Sequence, residues 1–517
     1  MSHKVQFRLD HKKSLEDYIQ EKYPDATEFR VLSKSLDARG APTGKEPSFQ
    51  YHIELAFADN PFEVTEEKFM QLQGPKAAPI IIGAGPAGLF CALRFAEYGI
   101  ATVVIERGER ATKRMRHIAR HWRYGEFNSE SNVCYGEGGA GLFSDGKLIT
   151  RIKSPYVKYV MKKFVQFGAP AETEYVSNPH LGSNKIRKII TQLTDYLKEK
   201  GHEFHYNSCV EKLIYSGSKV VGVQLKDGRK LFSDHIILAT GHSASEMYHH
   251  LYDNKVMMKK KDFAVGVRIE HSRRVIDQLQ YGDFSQGESG LILGAARYRL
   301  SRHDHESERG TYSFCMCPGG YVLSSGTDGD GIVVNGMSNY SRNSPWSNSA
   351  LVVTVKNNDD VGSHILSGLN FQRNIEKKAY ELSLEKAYGR EIPSLTVNEF
   401  LTGTMTKKEL PKSSCPSGLF KQNLDQILPD FITDHLRRGL EDFDKKIKGF
   451  SSVDALLLAP ETRTSAPVTI ERDHKQLISN SHSGLYPCGE GAGYAGGITS
   501  AAVDGVKVAM AIIEGFL

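Results

Sequence analysis

Three glycines, Gly83, Gly85 and Gly88, fall at G-x-G-x-x-G spacing inside the stretch IIIGAGPAGLF. An apolar triplet precedes them and an Ala-rich helical pattern follows, so the turn joins a strand to a helix. In that setting each glycine has a use. Gly83 permits the tight turn, Gly85 lets a phosphate approach the backbone, and Gly88 lets the helix pack close to the strand while its first amides face a pyrophosphate. The next strand pattern, ATVVIERG, ends in Glu106 with Arg107 beside it, 23 residues after Gly83. A carboxylate at that point accepts both hydroxyls of an adenosine ribose and opposes a 2′-phosphate. The chemistry these residues point to is dinucleotide binding.

Three further segments have the composition to close around such a ligand. GEGGAGLFSDGK (136–147) contains Gly138 and Gly139 in a loop suited to wrapping a flat ring or a pyrophosphate. The buried-looking strand IILATG ends in Thr240 and Gly241, and YPCGEGAGYAGGITSAAVDG (486–505) has Gly489 and Glu490 ahead of a Gly497–Ile498 turn that opens a helix. Helix N-terminal amides there can hold negative charge. Residues that could act on a substrate are fewer. Arg463, in PETRTSAP, has the hydroxyl-flanked setting of an anion-binding loop. Cys317, in MCPGG, offers a thiol, and His242, directly after the ATG strand, offers an imidazole whose ordinary pKa lies near neutrality. Arg268 and Glu270 alternate along GVRIEH and so share a strand face, as a structural ion pair would.

The elements needed to position these residues divide the chain. Residues 1–74 read as strand, helix, strand, strand, a small α+β module followed by the Gly/Pro linker QLQGPKAAP. Residues 75–260 carry the βαβ unit, later helices and the ATG strand. Residues 261–451 change to longer, Gly/Ser/Asn-rich strands with helices near the end, as in an inserted domain. Residues 452–517 return to strand, turn and helix. The expected fold is α/β: a discontinuous Rossmann-like nucleotide-binding domain, an inserted α+β substrate domain and the N-terminal module.

A chain of 517 residues is long enough for two or three domains, and its 40% hydrophobic and 25% charged residues are those of a globular protein. The net charge of +5 is scattered, and residues 1–74 carry ten basic against thirteen acidic side chains, which argues against nucleic acid as a partner. No apolar run is long enough for a membrane span and the N-terminal residues lack a secretory h-region, which predicts a cytoplasmic location. Seven scattered cysteines argue against a disulfide framework. The Cys315–Cys317 C-x-C lacks zinc-spaced companions, and the His303–His305 H-D-H reads as a solvated loop, so no metal is expected.

The βαβ unit, the ATG strand and the C-terminal G-E-x-x-G-x-x-G-G-I segment resemble the two-dinucleotide-fold flavoproteins related to glutathione reductase. GEGGAGLFSDGK, FAVGVRIEH, FCMCPGGYV, VVNGMS, ETRTSAPV and the C-terminal turn are more specifically similar to the bacterial FAD-dependent dehydrogenases, also grouped as NAD(P)/FAD-dependent oxidoreductases. The resemblance implies bound FAD: Gly83, Gly85 and Gly88 on the pyrophosphate, Glu106 on the ribose, backbone of Val210 on the adenine, and Glu490 with Ile498 near the ribityl chain and isoalloxazine. Flavoproteins of this class often carry Asp where this chain has Glu490. No second βαβ unit opened by G-x-G-x-x-G is present for NAD(P)H, so hydride would arrive from a small-molecule substrate or from transiently bound NAD(P)H. Cys134 lacks a nearby partner, which argues against a disulfide reductase. The expected activity is an FAD-dependent oxidoreductase of unidentified substrate; a flavin-dependent RNA-modifying enzyme and a non-catalytic flavin-binding protein are the alternatives.

Overall fold

Short, mostly apolar strands make the first layer of the computed structural model, which describes residues 3–62, 69–359 and 361–517. Met1, Ser2 and residues 63–68 of the N-terminal segment lie outside the described residues. Five three-residue strands form a parallel sheet in the order Leu485–Pro487, Ile236–Leu238, Ile80–Ile82, Val103–Ile105, Glu203–His205. Parallel strands are covered on both faces, which is why Ile80–Ile82 and Ile236–Leu238 are unbroken aliphatic runs buried throughout. The helix Pro86–Glu97 leaves the first of these, and the C-terminal helix Ile498–Ile513 packs directly on it. A Cβ on Gly505 would lie 2.0 Å from the Ala87 carbonyl oxygen, so only glycine allows that approach. The sheet and helices define a Rossmann-like domain, joined by an antiparallel meander, Val210–Ser216, Lys219–Leu225 and Lys230–Phe232.

The second domain is built on a seven-stranded sheet in the order Ser301–Asp304, Arg309–Cys317, Trp346–Val355, Phe263–Ser272, Leu456–Glu461, Ile392–Thr396, Leu419–Lys421. All neighbours are antiparallel except the last pair. Its apolar face packs on Asp430–Lys446 and Ser367–Lys386, with Phe443, Phe450 and Leu440 in the core. The pairing corrects one expected boundary. Leu456–Glu461, assigned from sequence to the C-terminal part of the nucleotide-binding domain (452–517), lies between Phe263–Ser272 and Ile392–Thr396, so the chain leaves the second sheet only after Glu461. The two passages between domains run side by side, as Met258–Lys260 pairs antiparallel with Val468–Ile470.

The N-terminal module has the expected order, with His3–Asp10, Ser48–Ala56 and Glu28–Asp37 forming an antiparallel sheet beside the helix Leu15–Lys22. It is tied to both larger domains: the Lys34 amide donates to the Tyr175 carbonyl at 2.9 Å, and His11 Nε2 lies 2.9 Å from Ser289 Oγ. Among the described residues no helix is long and apolar enough to cross a membrane.

Candidate functional site

A cavity of about 380 Å³ runs between the parallel sheet and the second domain, within the range of small-molecule and cofactor sites. Gly83, at φ 107°, shapes one end; a Cβ on it would lie 2.3 Å from the Ala239 carbonyl oxygen. Gly88 is equally constrained, its Cβ falling 1.9 Å from the Gly83 oxygen. Gly85 differs. Its backbone is extended, the nearest atom to an added Cβ is Gly139 Cα at 3.9 Å, and it lines the cavity. As N-cap of Pro86–Glu97 it offers no side-chain acceptor, so first-turn amides are left for a ligand.

The second glycine turn lies against the first. Gly138 donates its amide to the Ala84 carbonyl at 2.8 Å, and Gly139 lines the cavity opposite Gly85. Arg114, which sequence reasoning missed, holds this turn in place. It is fully buried and donates to the carbonyls of Asn132, Val133, Glu137 and Gly139 at 2.6–2.9 Å and of Gly136 at 3.3 Å. Burial lowers its pKa to about 10, still far above neutrality. One arginine among the several basic residues of ATKRMRHIARHWRY carries no local sign of such a role.

Glu106 lines the cavity at the sheet edge, but it is also structural. Its Oε1 accepts the amides of Gly108 and Gly136 and its Oε2 that of Ala84, all at 2.9 Å. A carboxylate has about four lone-pair sites, so roughly one is left for a ligand hydroxyl. Arg107, beside it on the cavity, is paired with Glu130 at 2.8 Å and with Glu246, and its guanidinium lies 4.0 Å from the Tyr135 ring centroid. Val210, Thr240 and Gly241 complete this side. At the far end Glu490, Gly496, Gly497 and Ile498 line the cavity; Gly489, just ahead of Glu490, does not, lying at φ 76° with its amide donating to Asp504 at 2.7 Å. Added Cβ atoms on Gly241, Gly496 and Gly497 would touch nothing within 4 Å. Like Pro86–Glu97, the helix Ile498–Ile513 starts without a side-chain cap.

The substrate-acting candidates fare differently. His242 lines the cavity, its Nδ1 2.8 Å from Ser243 Oγ, but burial and then the Arg463 guanidinium push it down to about 4, so it is neutral at pH 7 and a weak base. The group that titrates near neutrality is Glu490, which burial raises to about 7 against the opposing pull of Lys261. Arg463 reaches the cavity with its charge already matched: Nε and Nη2 donate to Glu376 at 2.9 and 2.7 Å, Nη2 donates to Asp328 at 3.0 Å, and Nη1 donates to Thr327. That environment replaces the expected open anion site with an internal ion-pair knot. Cys317 is fully buried and does not line the cavity; Cys315 does. Arg268 does not pair with Glu270. It makes a bidentate pair with Glu461, both bonds 2.6 Å, whereas Glu270 accepts from the Ser414 amide and hydroxyl. Adding a Cβ to Gly336 would bring it to 2.3 Å from Arg268 Nη1, so the glycine of VVNGMS makes room for that guanidinium. The exposed His303, His305 and Glu308 bring their ligand atoms within 4.8 Å of one another, away from the cavity.

A glycine-lined cavity with two uncapped helix N-termini, on a parallel sheet, defines a flavoprotein of the FAD-binding α/β class, and the family comparisons agree. Residues 262–464 match the model for the FAD-dependent protein, C-terminal domain-like family, residues 76–123 match the FAD binding domain, and residues 164–264 match the flavin containing amine oxidoreductase family. A protein of Clostridium beijerinckii described as uncharacterized is 43% identical over 444 residues, 85% of this chain and 81% of its own length. The chain belongs to this family of FAD-dependent proteins, and its cofactor is FAD. Among solved structures, the flavin-dependent brominase Bmp2 aligns with 11% identity over 85% of this chain and 78% of its own, at a TM-score of 0.38. L-Amino acid deaminase from Proteus myxofaciens aligns with 12% identity over 88% and 93%, at a TM-score of 0.34.

Proposed function

We propose that the protein is an oxidoreductase that passes hydride between FAD and a small molecule in this cavity. The observation that carries the reading is the pair of uncapped helix N-termini, at Gly85 and Gly497, opening on one cavity whose glycines leave space where side chains would otherwise project. In this reading Glu106, Arg107 and Val210 take the adenosine. Gly83 and Gly88 set the backbone for Gly85, which meets the pyrophosphate together with Gly138–Gly139 and Thr240–Gly241. Gly489, Glu490, Gly497 and Ile498 take the ribityl and ring end. FAD supplies the hydride chemistry; the protein orients substrate and tunes the site.

The chain's own contribution is a proton holder and two neutralised supports. Glu490, near 7, can hold or release a proton at its carboxyl at physiological pH. Neutral His242 offers a hydrogen-bond acceptor, and Arg463, fixed by Glu376 and Asp328, positions the loop around Thr464. NAD(P)H, if it is the donor, would bind transiently in the same cavity, because the three G-x-G-x-x-G stretches of the sequence, at 83–88, 136–141 and 491–496, all contribute to it.

The test is an anaerobic visible spectrum of FAD-loaded protein titrated with NADPH and then NADH. Bleaching of the flavin band supports a reductase using a nicotinamide donor. A yellow protein that ignores both donors but is bleached by a metabolite supports a substrate dehydrogenase. A protein that takes up no FAD overturns the reading, and one whose flavin no donor reduces is a non-catalytic binder.

A further inference from the structure

The strand Arg309–Cys317 ends irregularly. Its pairing with Trp346–Val355 slips between Phe314 and Cys317, and Cys315 adopts φ 45°, a left-handed conformation uncommon outside glycine. At this bulge Cys315 lines the cavity with Phe314 and Asn335, while Cys317 is buried. Cys317 Sγ lies 3.4 Å from the Cys315 carbonyl oxygen, which places the two side chains beside each other at the bulge. Two cations hold the same segment. Arg268 Nη1 donates to the Cys315 carbonyl at 3.3 Å and lies 4.0 Å from Cys317 Sγ, and Lys147 donates to the Met316 carbonyl between them.

These surroundings separate the thiols chemically. The hydrogen bond from Cys317, with the charges of Lys147 and Arg268, outweighs burial and the Asp145 carboxylate and brings Cys315 down to about 5; Cys317 is pushed well above its ordinary value. Glu461 and Glu490 also feel the Cys315 sulfur. The other cavity cysteines, Cys134, Cys209 and Cys488, are all raised by burial. A thiolate on the cavity wall beside a protonated thiol, both next to cations, is the arrangement of a reactive pair.

We propose that Cys315 and Cys317 form a reversible dithiol–disulfide pair that exchanges two electrons with the FAD of the same cavity. The pair lies on the second domain's sheet and goes beyond the hydride reading above, resting on it only for the presence of FAD. On oxidation the Sγ–Sγ bond forms and the remaining S–H of Cys317 breaks. The electron pair and that proton pass to the flavin, so thiolate, thiol and oxidised FAD become disulfide and the reduced flavin anion, with charge unchanged. The reverse step reduces the disulfide and delivers a thiolate and a thiol for a disulfide or other two-electron substrate entering the cavity.

The experiment is an anaerobic dithionite titration of FAD-loaded protein, with the peptide spanning residues 310–342 alkylated and weighed at each point. Wild type is expected to consume two electron pairs per FAD, and the oxidised peptide to resist alkylation and weigh two hydrogens less. Cys315→Ser and Cys317→Ser are expected to consume one pair per FAD. A second readout needs no flavin reduction. At pH 6, iodoacetamide should label Cys315 about tenfold faster in reduced wild type than in Cys317→Ala, the gain in thiolate fraction exceeding the loss of nucleophilicity. A yellow wild type that consumes one pair and never forms the linked peptide overturns the proposal. A wild type that takes up no FAD overturns it together with the hydride reading and is recognised by its missing colour.

Discussion

Gly85 and Gly88 lie three residues apart in one helix start, yet the structure predicts that alanine at each fails in a different way. At Gly88 the new Cβ would lie 1.9 Å from the Gly83 oxygen, in the turn that leaves the strand Ile80–Ile82, and 3.1 Å from Ile81 within that strand. The helix Pro86–Glu97 must withdraw by about 1.1 Å to reach even the shortest tolerable contact of 3.0 Å, and overpacking of that kind costs about 1–3 kcal/mol. Gly88→Ala is therefore expected to lower the stability of FAD-free protein by at least about 1 kcal/mol and to carry the first-turn amides off the pyrophosphate. At Gly85, with φ −79° and no atom nearer than 3.9 Å, the backbone tolerates alanine, and stability should change by less than about 1 kcal/mol. The methyl instead enters the space of the phosphate and should weaken FAD by tenfold or more, about 1.4 kcal/mol. Urea melts of FAD-stripped protein and flavin-fluorescence titrations measure the two quantities separately. The reasoning is refuted if Gly85→Ala binds FAD as wild type does, or if Gly88→Ala melts with it.

Three further expectations rest on buried charge. Glu490 is raised to about 7 in the fold from an ordinary 4.5, so the folded state prefers the neutral acid: its favourable contribution is complete below about pH 4.5 and is lost as pH rises through 7. Glu490→Gln should accordingly stabilise FAD-stripped protein by about 3 kcal/mol at pH 8 and hardly at all at pH 4.5, and melts at the two pH values would show it. Arg268→Met leaves Glu461 buried without its partner and should cost about 3–5 kcal/mol in urea melts, most of it recovered when Glu461→Gln is added. Arg114→Leu strands the carbonyls of the second glycine turn. A loss of about 3 kcal/mol or more in the same melts, together with loss of bound FAD, is expected.

What the sequence reveals follows the range of the forces involved. The glycines of the first turn are legible because their demands are local: a left-handed φ at Gly83 and a close helix–strand approach at Gly88 act within a few residues. Glu106 is legible as a strand-end carboxylate, but its bond to the Gly136 amide, thirty residues on, is not. The partner of Arg268 is nearly two hundred residues away, on a strand that sequence spacing assigns to another domain, and nothing in GVRIEH distinguishes Glu461 from the neighbouring Glu270. Strand alternation treats Cys315 and Cys317 as equivalent, and only the bulge between them decides which meets the cavity. The sequence offers His242 as the group titrating near neutrality by its ordinary pKa, but burial disfavours the charged form of each side chain, lowering the imidazole to about 4 and raising the Glu490 carboxyl to about 7.

The antiparallel ribbon of Met258–Lys260 with Val468–Ile470 brings both ends of the second domain's chain to one place. A single linker would leave one tether between the two sheets, whereas here the outgoing and returning passages are bonded to each other. The cavity is therefore walled from two sheets whose meeting point is fixed by the backbone: Gly85 and Glu490 come from the side of the parallel sheet, and Cys315 from the other.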